Sequence, residues 1–266
     1  YPAWLASVDA PPPLIYVRGR LELLRRPMIA IVGARNGSAI GQKFTRMLAA
    51  DLGREGFVIA SGLARGIDTA AHVSSLERGT LAVLAGGIDS VYPPENAELQ
   101  DAIGTQGVLL SEMPIGYKPR GKDFPRRNRL VSGVSVAVIV VEAANRSGSL
   151  ITARMALEQG REVFAVPGAP GDPRSLGGNG LIRSGATLVE NAENVFEVLN
   201  GLSLASFQET KTIDIKTPLP LSPDLKELQK ARLVIEENLG IESVTVDEII
   251  RSCQLSLPVV SIVLLE

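Results

Sequence analysis

Apolar and polar positions come in alternating blocks along most of this chain. MIAIVGA (28–34), FVIASG (57–62), TLAVLAGG (80–87), VLLSEM (108–113), VSVAVIVVEA (134–143) and REVFAVPG (161–168) are short, continuous, apolar runs. Between them lie stretches with helical apolar spacing: GQKFTRMLAADLGREG (41–56), IDTAAHVSSLERG (67–79), NAELQDAIGTQG (96–107) and SLITARMALEQG (149–160). Strands apolar on both faces need cover on both faces, and the intervening helices supply it. The pattern predicts an α/β fold with a Rossmann-like, doubly wound, mostly parallel sheet. The first 27 residues contain APPPLIYVRGRLELLRRP and read as an extended lead-in or edge strand, broken by prolines.

After residue 200 the pattern changes. GLSLASFQETKTIDIKTPLPLSPD is polar and proline-bearing, and predicts a linker over 201–224. Residues 225–266 read as a small helical, winged-helix-like domain. Within it SVTVDEIIRSCQLSLPVVSIVLLE has a cap-like start, a helix, a turn near 254–257 and a second helix, which is helix-turn-helix spacing. The expected organisation is therefore a lead-in (1–27), a Rossmann-like domain (28–200), a linker (201–224) and a winged-helix-like domain (225–266). The chain starts at Tyr1 without methionine and stops inside an apolar segment at Glu266, so a fragment is expected, with the last domain truncated before its wing strands.

Composition narrows the chemistry. The single cysteine, Cys253, leaves no internal disulfide and no cysteine metal cluster. The single histidine, His72, gives little to a zinc site or a Ser–His–Asp system, and a lone helical histidine reads as a packed residue. No apolar run approaches a membrane span, and the expectation is a cytoplasmic protein without metal or cofactor. Net charge is −2 over 266 residues, which by itself points to no polyanionic partner. Its distribution says more. Residues 1–27 carry about +2, 28–200 about zero and 201–266 about −4, while the short window 118–129 carries about +5. Such a patch binds phosphates whatever the total.

The loops that follow the strands hold the candidate chemistry, because ligands of doubly wound sheets sit at the carboxyl ends of strands. GARNGSAIG follows the first core strand. Gly33, Ala34 and Arg35 there read as a phosphate cradle, with glycines for close approach and a helix N-terminus for negative charge. The alternative is a tight strand-to-helix turn. The spacing matches neither G-x-G-x-x-G nor a Walker loop. SGLARGID ends the second strand with Ser61, Gly62 and Arg65 where a dinucleotide fold places an acid for the ribose; Asp68 is positioned to cap the helix or orient Arg65. DFPRRNR offers Phe124 as a face for a base and Arg126, Arg127, Asn128 and Arg129 as polar contacts. If this stretch is helical, 126 and 129 share a face and 127 diverges, so one set meets phosphates while the other pairs with an internal acid such as Glu142. VEAANRSGSLITAR places Ser147, Gly148 and Ser149 at a helix start, a further anion nest, and Glu142 reads as an arginine's structural partner rather than a catalytic acid.

Taken together, AIVGAR, SGLARGIDTAAH, YPPEN, SEMP-G, FPRRNRLVSG, VVEA---SGSLITA and AVPG resemble, in order and spacing over about residues 2–200, the DNA-processing protein A (DprA/Smf) family. The resemblance implies a non-catalytic protein that binds single-stranded DNA. It would protect incoming strands in natural transformation and load a RecA-type recombinase on them, working as a homodimer. It places the DNA contacts on Gly33 and Arg35, on Lys122, and on Phe124 with the arginines after it. Alignment before Phe124 is poor, so Lys118, Arg120 and Lys122 are interchangeable. The family's first loop is often GSR where this chain has GAR, which removes a hydroxyl at Ala34. Members carry an amino-terminal helical domain, expected to be missing or removed ahead of Tyr1, and many carry a winged helix like the 220–266 tail. Dimerisation is expected through apolar surface on 161–200.

Three rivals remain open. A phosphoribohydrolase of related fold would carry PGGxGTxxE, but the corresponding RSGSLITAR has no terminal glutamate. A NAD-dependent oxidoreductase would need the missing glycine fingerprint and ribose acid. A double-stranded DNA regulator would act through the tail, which is acidic and better suited to protein contacts.

Overall fold

The computed structural model describes residues 1–201 and 225–238 and, further on, 252, 253, 255, 259, 260, 263 and 264. The chain divides into two compact units, 1–209 and 210–266.

The first unit is built on one eight-stranded sheet. In chain order its elements are α1 (Ala3–Ala6), β1 (Tyr16–Gly19), β2 (Met28–Val32), α2 (Ala39–Arg54), β3 (Val58–Ser61), α3 (Ile67–Ser75), β4 (Thr80–Leu84), α4 (Ala97–Gln106), β5 (Val108–Ser111), α5 (Asp123–Gly133), β6 (Ala137–Val140), α6 (Gly148–Glu158), β7 (Glu162–Ala165), α7 (Leu176–Arg183), β8 (Thr187–Leu188) and α8 (Ala192–Gly201). The spatial strand order is β1-β5-β4-β3-β2-β6-β7-β8. All neighbours are parallel except β1, which runs antiparallel to β5 at the edge. The mostly parallel, doubly wound sheet is the one the block pattern predicts, and the lead-in does contribute an edge strand.

Strand period sorts the core. Met28, Ala30 and Val32 of β2 face one apolar layer with Val58, Val83 and Val138. Ile29 and Ile31 face the other, with Leu48 and Leu52 of α2 and Phe164 of β7. Each of these buried Met, Val, Ile, Leu and Phe side chains contributes roughly 1.5–3 kcal/mol relative to exposure. Arg161 anchors the lead-in: its guanidinium stands 4.5 Å over the Trp4 ring and donates to the Trp4 carbonyl at 2.7 Å.

Within the lead-in, read as extended, Ala3–Ala6 is helical. Three more elements, α7, β8 and α8, follow the last expected strand. α7 reads LGGNGLIR, a glycine-rich stretch of poor helix propensity, and packing against β7 sets its conformation instead.

The chain winds outward from β2 to β5 and then returns to place β6 beside β2, so the winding reverses between those two strands. In parallel sheets a crevice opens outside the carboxyl ends at such a reversal. The loops 33–38 and 141–147 border it.

In the second unit, α9 (Leu225–Asn238) brings Ile235 against Val260, with Cys253, Leu255 and Val263 packed around them. The expected linker lies outside the described residues, and so does most of the expected helix-turn-helix. No helix among the described residues is long and apolar enough to cross a membrane.

Candidate nucleic-acid interface

A cleft of about 560 Å³ opens at the carboxyl ends of the central strands. Gly33 and Arg35 come to it from the loop after β2, Gly62 and Ala64 from the loop after β3. Gly121, Phe124, Arg127 and Asn128 come from the start of α5, and Ser147, Gly148 and Ser149 from the start of α6. A smaller pocket of about 180 Å³ adjoins it, lined by Arg35, Arg65, Leu84, Tyr92, Pro93, Pro94, Pro119 and Phe124. Arg35, Gly62, Ala64, Tyr92, Phe124 and Arg127 border both cavities.

Aromatic and cationic groups meet at that shared border. The Phe124 and Tyr92 rings lie 5.0 Å apart at an interplanar angle of 51°. The Arg35 guanidinium stands 5.7 Å from the Phe124 centroid, exposed to solvent on its outer side. Phe124 is half-buried, so its ring is held without being covered. The pair offers flat apolar faces beside a positive charge, the combination that takes a base with its phosphate.

Arg127 differs from its neighbours. It is 8% exposed and donates from Nη1 to the carbonyls of Gly62, at 2.6 Å, and Val83. A Cβ at Gly62 would stand 2.7 Å from this guanidinium, so only glycine allows the approach. Burial lowers the Arg127 pKa to about 10, against the pull of Asp68, and the group stays cationic at neutral pH. Arg126 and Arg129 share the opposite side of α5, as helical spacing predicts, and both hold Glu112, at 3.0 and 2.6 Å. They stand outside both cavities. Lys118, Arg120 and Lys122 are exposed on the approach to α5 and make no ion pair among the described residues.

Several expected roles need correction. Ser61 is fully buried, and its hydroxyl donates to the Ile31 carbonyl at 2.6 Å, so the sheet consumes it. Ala34 is buried and its carbonyl accepts from the Ile67 amide, leaving Arg35 as the loop's outward group. The acid facing Arg127 is Asp68, not Glu142. Asp68 does not orient Arg65: its Oδ2 accepts from the Gly62 and Ala64 amides at 3.1 and 3.3 Å, while Arg65 reaches out to Glu95 at 3.7 Å. Burial raises the Asp68 pKa, opposed by Arg127 and the two amides. Glu142 holds the first loop instead of an arginine. Its Oε2 accepts from the Ser38 amide at 2.8 Å and its Oε1 from the Ser38 hydroxyl at 2.5 Å. Pairing of β6 with β2 at Val32 and Val140 brings that carboxylate across.

The α6 start differs from both. Ser147 caps its own helix by accepting from the Ser149 amide, the two hydroxyls are 2.7 Å apart, and Asn128 donates to the Gly148 carbonyl at 3.2 Å. Gly148 faces open space in the cleft.

His72 is fully buried, its Nδ1 2.7 Å from the Thr80 hydroxyl, and burial with Arg127 lowers its pKa to about 3. It is the packed residue that a lone helical histidine suggests. Tyr92 is the residue that sequence reasoning passed over. An aromatic beside two prolines in a strand-terminal loop is the signal that was available. Among the described residues no group of His, Cys, Asp and Glu could hold a metal ion.

The chain has known relatives in sequence and in structure. The family model described as DNA recombination-mediator protein A matches residues 1–200. The chain is 47% identical over 202 residues to DNA processing protein DprA of Bacillus subtilis, covering 75% of this chain and 68% of that one. It is 43% identical over 230 residues to protein Smf of Escherichia coli, covering 83% and 62%. It therefore spans about two-thirds or less of the length of these relatives. The X-ray structure of DNA processing protein A from Streptococcus pneumoniae superposes with a TM-score of 0.71 at 44% identity, over 74% of this chain and 70% of that one. That of Helicobacter pylori, studied for its single-stranded DNA binding mode, gives 0.70 at 32% identity, over 76% and 93%.

Proposed function

This chain belongs to the DNA recombination-mediator protein A family, and we propose that it holds single-stranded DNA in the cleft at the carboxyl ends of β2 and β3 without cutting it. The supporting observation is the joint border of the two cavities, where Arg35, Phe124 and Tyr92 stand together. A base enters the smaller pocket against the Phe124 and Tyr92 faces. Its phosphates meet Arg35 and the basic approach of Lys118, Arg120 and Lys122. The open start of α6 at Ser147, Gly148 and Ser149 takes a neighbouring phosphate. Arg127 holds the cleft from within, as a positioning residue with a cationic field.

Contacts spread over several loops suit a polymer of phosphates better than one nucleotide. In the cell the protein would act in the cytoplasm as a homodimer, protecting strands and passing them to a RecA-type recombinase. Support for that role comes from the relatives and the likeness in sequence.

Fluorescence anisotropy with labelled oligo-dT across a salt series tests the reading. Tight binding with a steep salt slope is expected, outcompeted by single-stranded but not double-stranded DNA. A folded protein that ignores oligo-dT at low salt would sink it.

A further inference from the structure

We infer that Glu142 is a resident anion which closes the phosphate position of this fold to free nucleotides, and so makes the cleft select strands. The inference deepens the strand-binding reading and rests on it. Doubly wound sheets take the phosphate of a nucleotide where the winding reverses, on amides that begin the helix after the central strand. Here that place lies between β2 and β6, at the start of α2.

Two of the amides there, and the Ser38 hydroxyl, are engaged from within. Glu142 accepts from the Ser38 amide at 2.8 Å and from its hydroxyl at 2.5 Å, and that same hydroxyl accepts from the Gly41 amide at 2.9 Å. The carboxylate lies so close to the helix that a Cβ at Gly41 would stand 2.6 Å from its carbon and Oε1. No room is left between helix and carboxylate for a phosphate oxygen. An arriving phosphate meets negative charge where a nucleotide-binding fold presents N–H groups, and like charges at such separations repel. The positive end of α2, a helix of 16 residues, favours the resident carboxylate.

The neighbouring loop repeats the device. Asp68 accepts from the amides of Gly62 and Ala64 after β3, so two strand-end donors there are also taken. A mononucleotide brings its phosphate to one position only, and with these two nests filled it has the α6 start or Arg35 but not both. A strand reaches Arg35, the α6 start and the basic approach at once, and needs neither filled nest. Glu142 is thus a specificity residue, acting by exclusion and not by touching the strand.

Isothermal titration with inorganic pyrophosphate and with 5′-AMP tests this on wild type, Glu142→Ala and Glu142→Gln. Wild type should bind pyrophosphate only weakly, through the α6 start and Arg35. Glu142→Ala should bind pyrophosphate at least about tenfold more tightly. Glu142→Gln keeps the volume and removes the charge, so it should fall between wild type and Glu142→Ala. A folded Glu142→Ala that gains nothing overturns the inference, and so does wild type binding pyrophosphate as well as the variant. Should the alanine variant fail to fold, Glu142→Asn, whose amide falls short of Ser38, carries the same expectation. Oligo-dT anisotropy on the same wild-type preparation separates the two readings: loss of strand binding refutes the proposed function, whereas absence of a pyrophosphate gain refutes only the exclusion by Glu142.

Discussion

The inner and outer sides of α5 carry the same residue type to different ends. On the inner side Arg127 is buried, donates to the carbonyls of Gly62 and Val83, and faces Asp68. On the outer side Arg126 and Arg129 share Glu112 near solvent. The lesson is that a basic cluster in sequence is not a count of phosphate contacts. Buried charge builds the cleft, paired charge on the outer side is held by Glu112, and exposed charge at the cleft's mouth is what the proposed strand would reach.

The largest effect should come from breaking the inner side. Arg127→Ala leaves Asp68 buried without its cation and two carbonyls without a donor. It should destabilise the fold by about 3–5 kcal/mol in urea unfolding. A loss under about 1 kcal/mol would make Arg127 a ligand group instead of a structural one.

A titration sharpens the same contrast. His72 is kept neutral when folded, with a pKa of about 3, by burial and by Arg127. The unfolded chain protonates it near pH 6.5. The unfolded state therefore binds the extra proton between those values, and stability falls as pH drops from about 6.5 toward 3. Asp68, whose pKa is raised, works in the opposite sense. Comparing wild type with His72→Gln isolates the histidine. The variant should lose on the order of a few kcal/mol less across that window, and parallel curves would contradict the assignment.

At the mouth of the cleft, Phe124→Ala should weaken oligo-dT binding by about 1–3 kcal/mol with little change in salt slope, because stacking releases no counterions. Arg35→Ala should lower the slope by roughly 0.7, the share of one single-strand phosphate, while leaving the urea midpoint nearly unmoved. If the two variants exchange these signatures, the roles of ring and cation are reversed.

The smallest effect belongs to the outer side. Arg126→Ala removes an exposed arginine while Arg129 still holds Glu112, and should change stability by less than about 1 kcal/mol and strand affinity by less than threefold. A tenfold affinity loss would move the strand's path across the outer face of α5.

The sequence by itself determined the sheet. Apolar runs such as those at 28–32 and 137–140 are continuous because helices cover both faces, and covering requires no knowledge of the neighbours. It also placed Arg35, Phe124 and the α6 start at strand ends, since loop position follows from element order. The α7 helix stayed hidden because packing overrides the weak propensity of LGGNG. Only the tertiary structure decided which polar groups face inward. Glu142 and Ser38 are 104 residues apart, and they meet because β6 returns to the side of β2. Ser61 and Arg127 are polar in sequence yet buried, because nearby carbonyls of Ile31, Gly62 and Val83 accept their hydrogen bonds. Burial of a charge is a property of what packs around it, and a single residue carries no record of that.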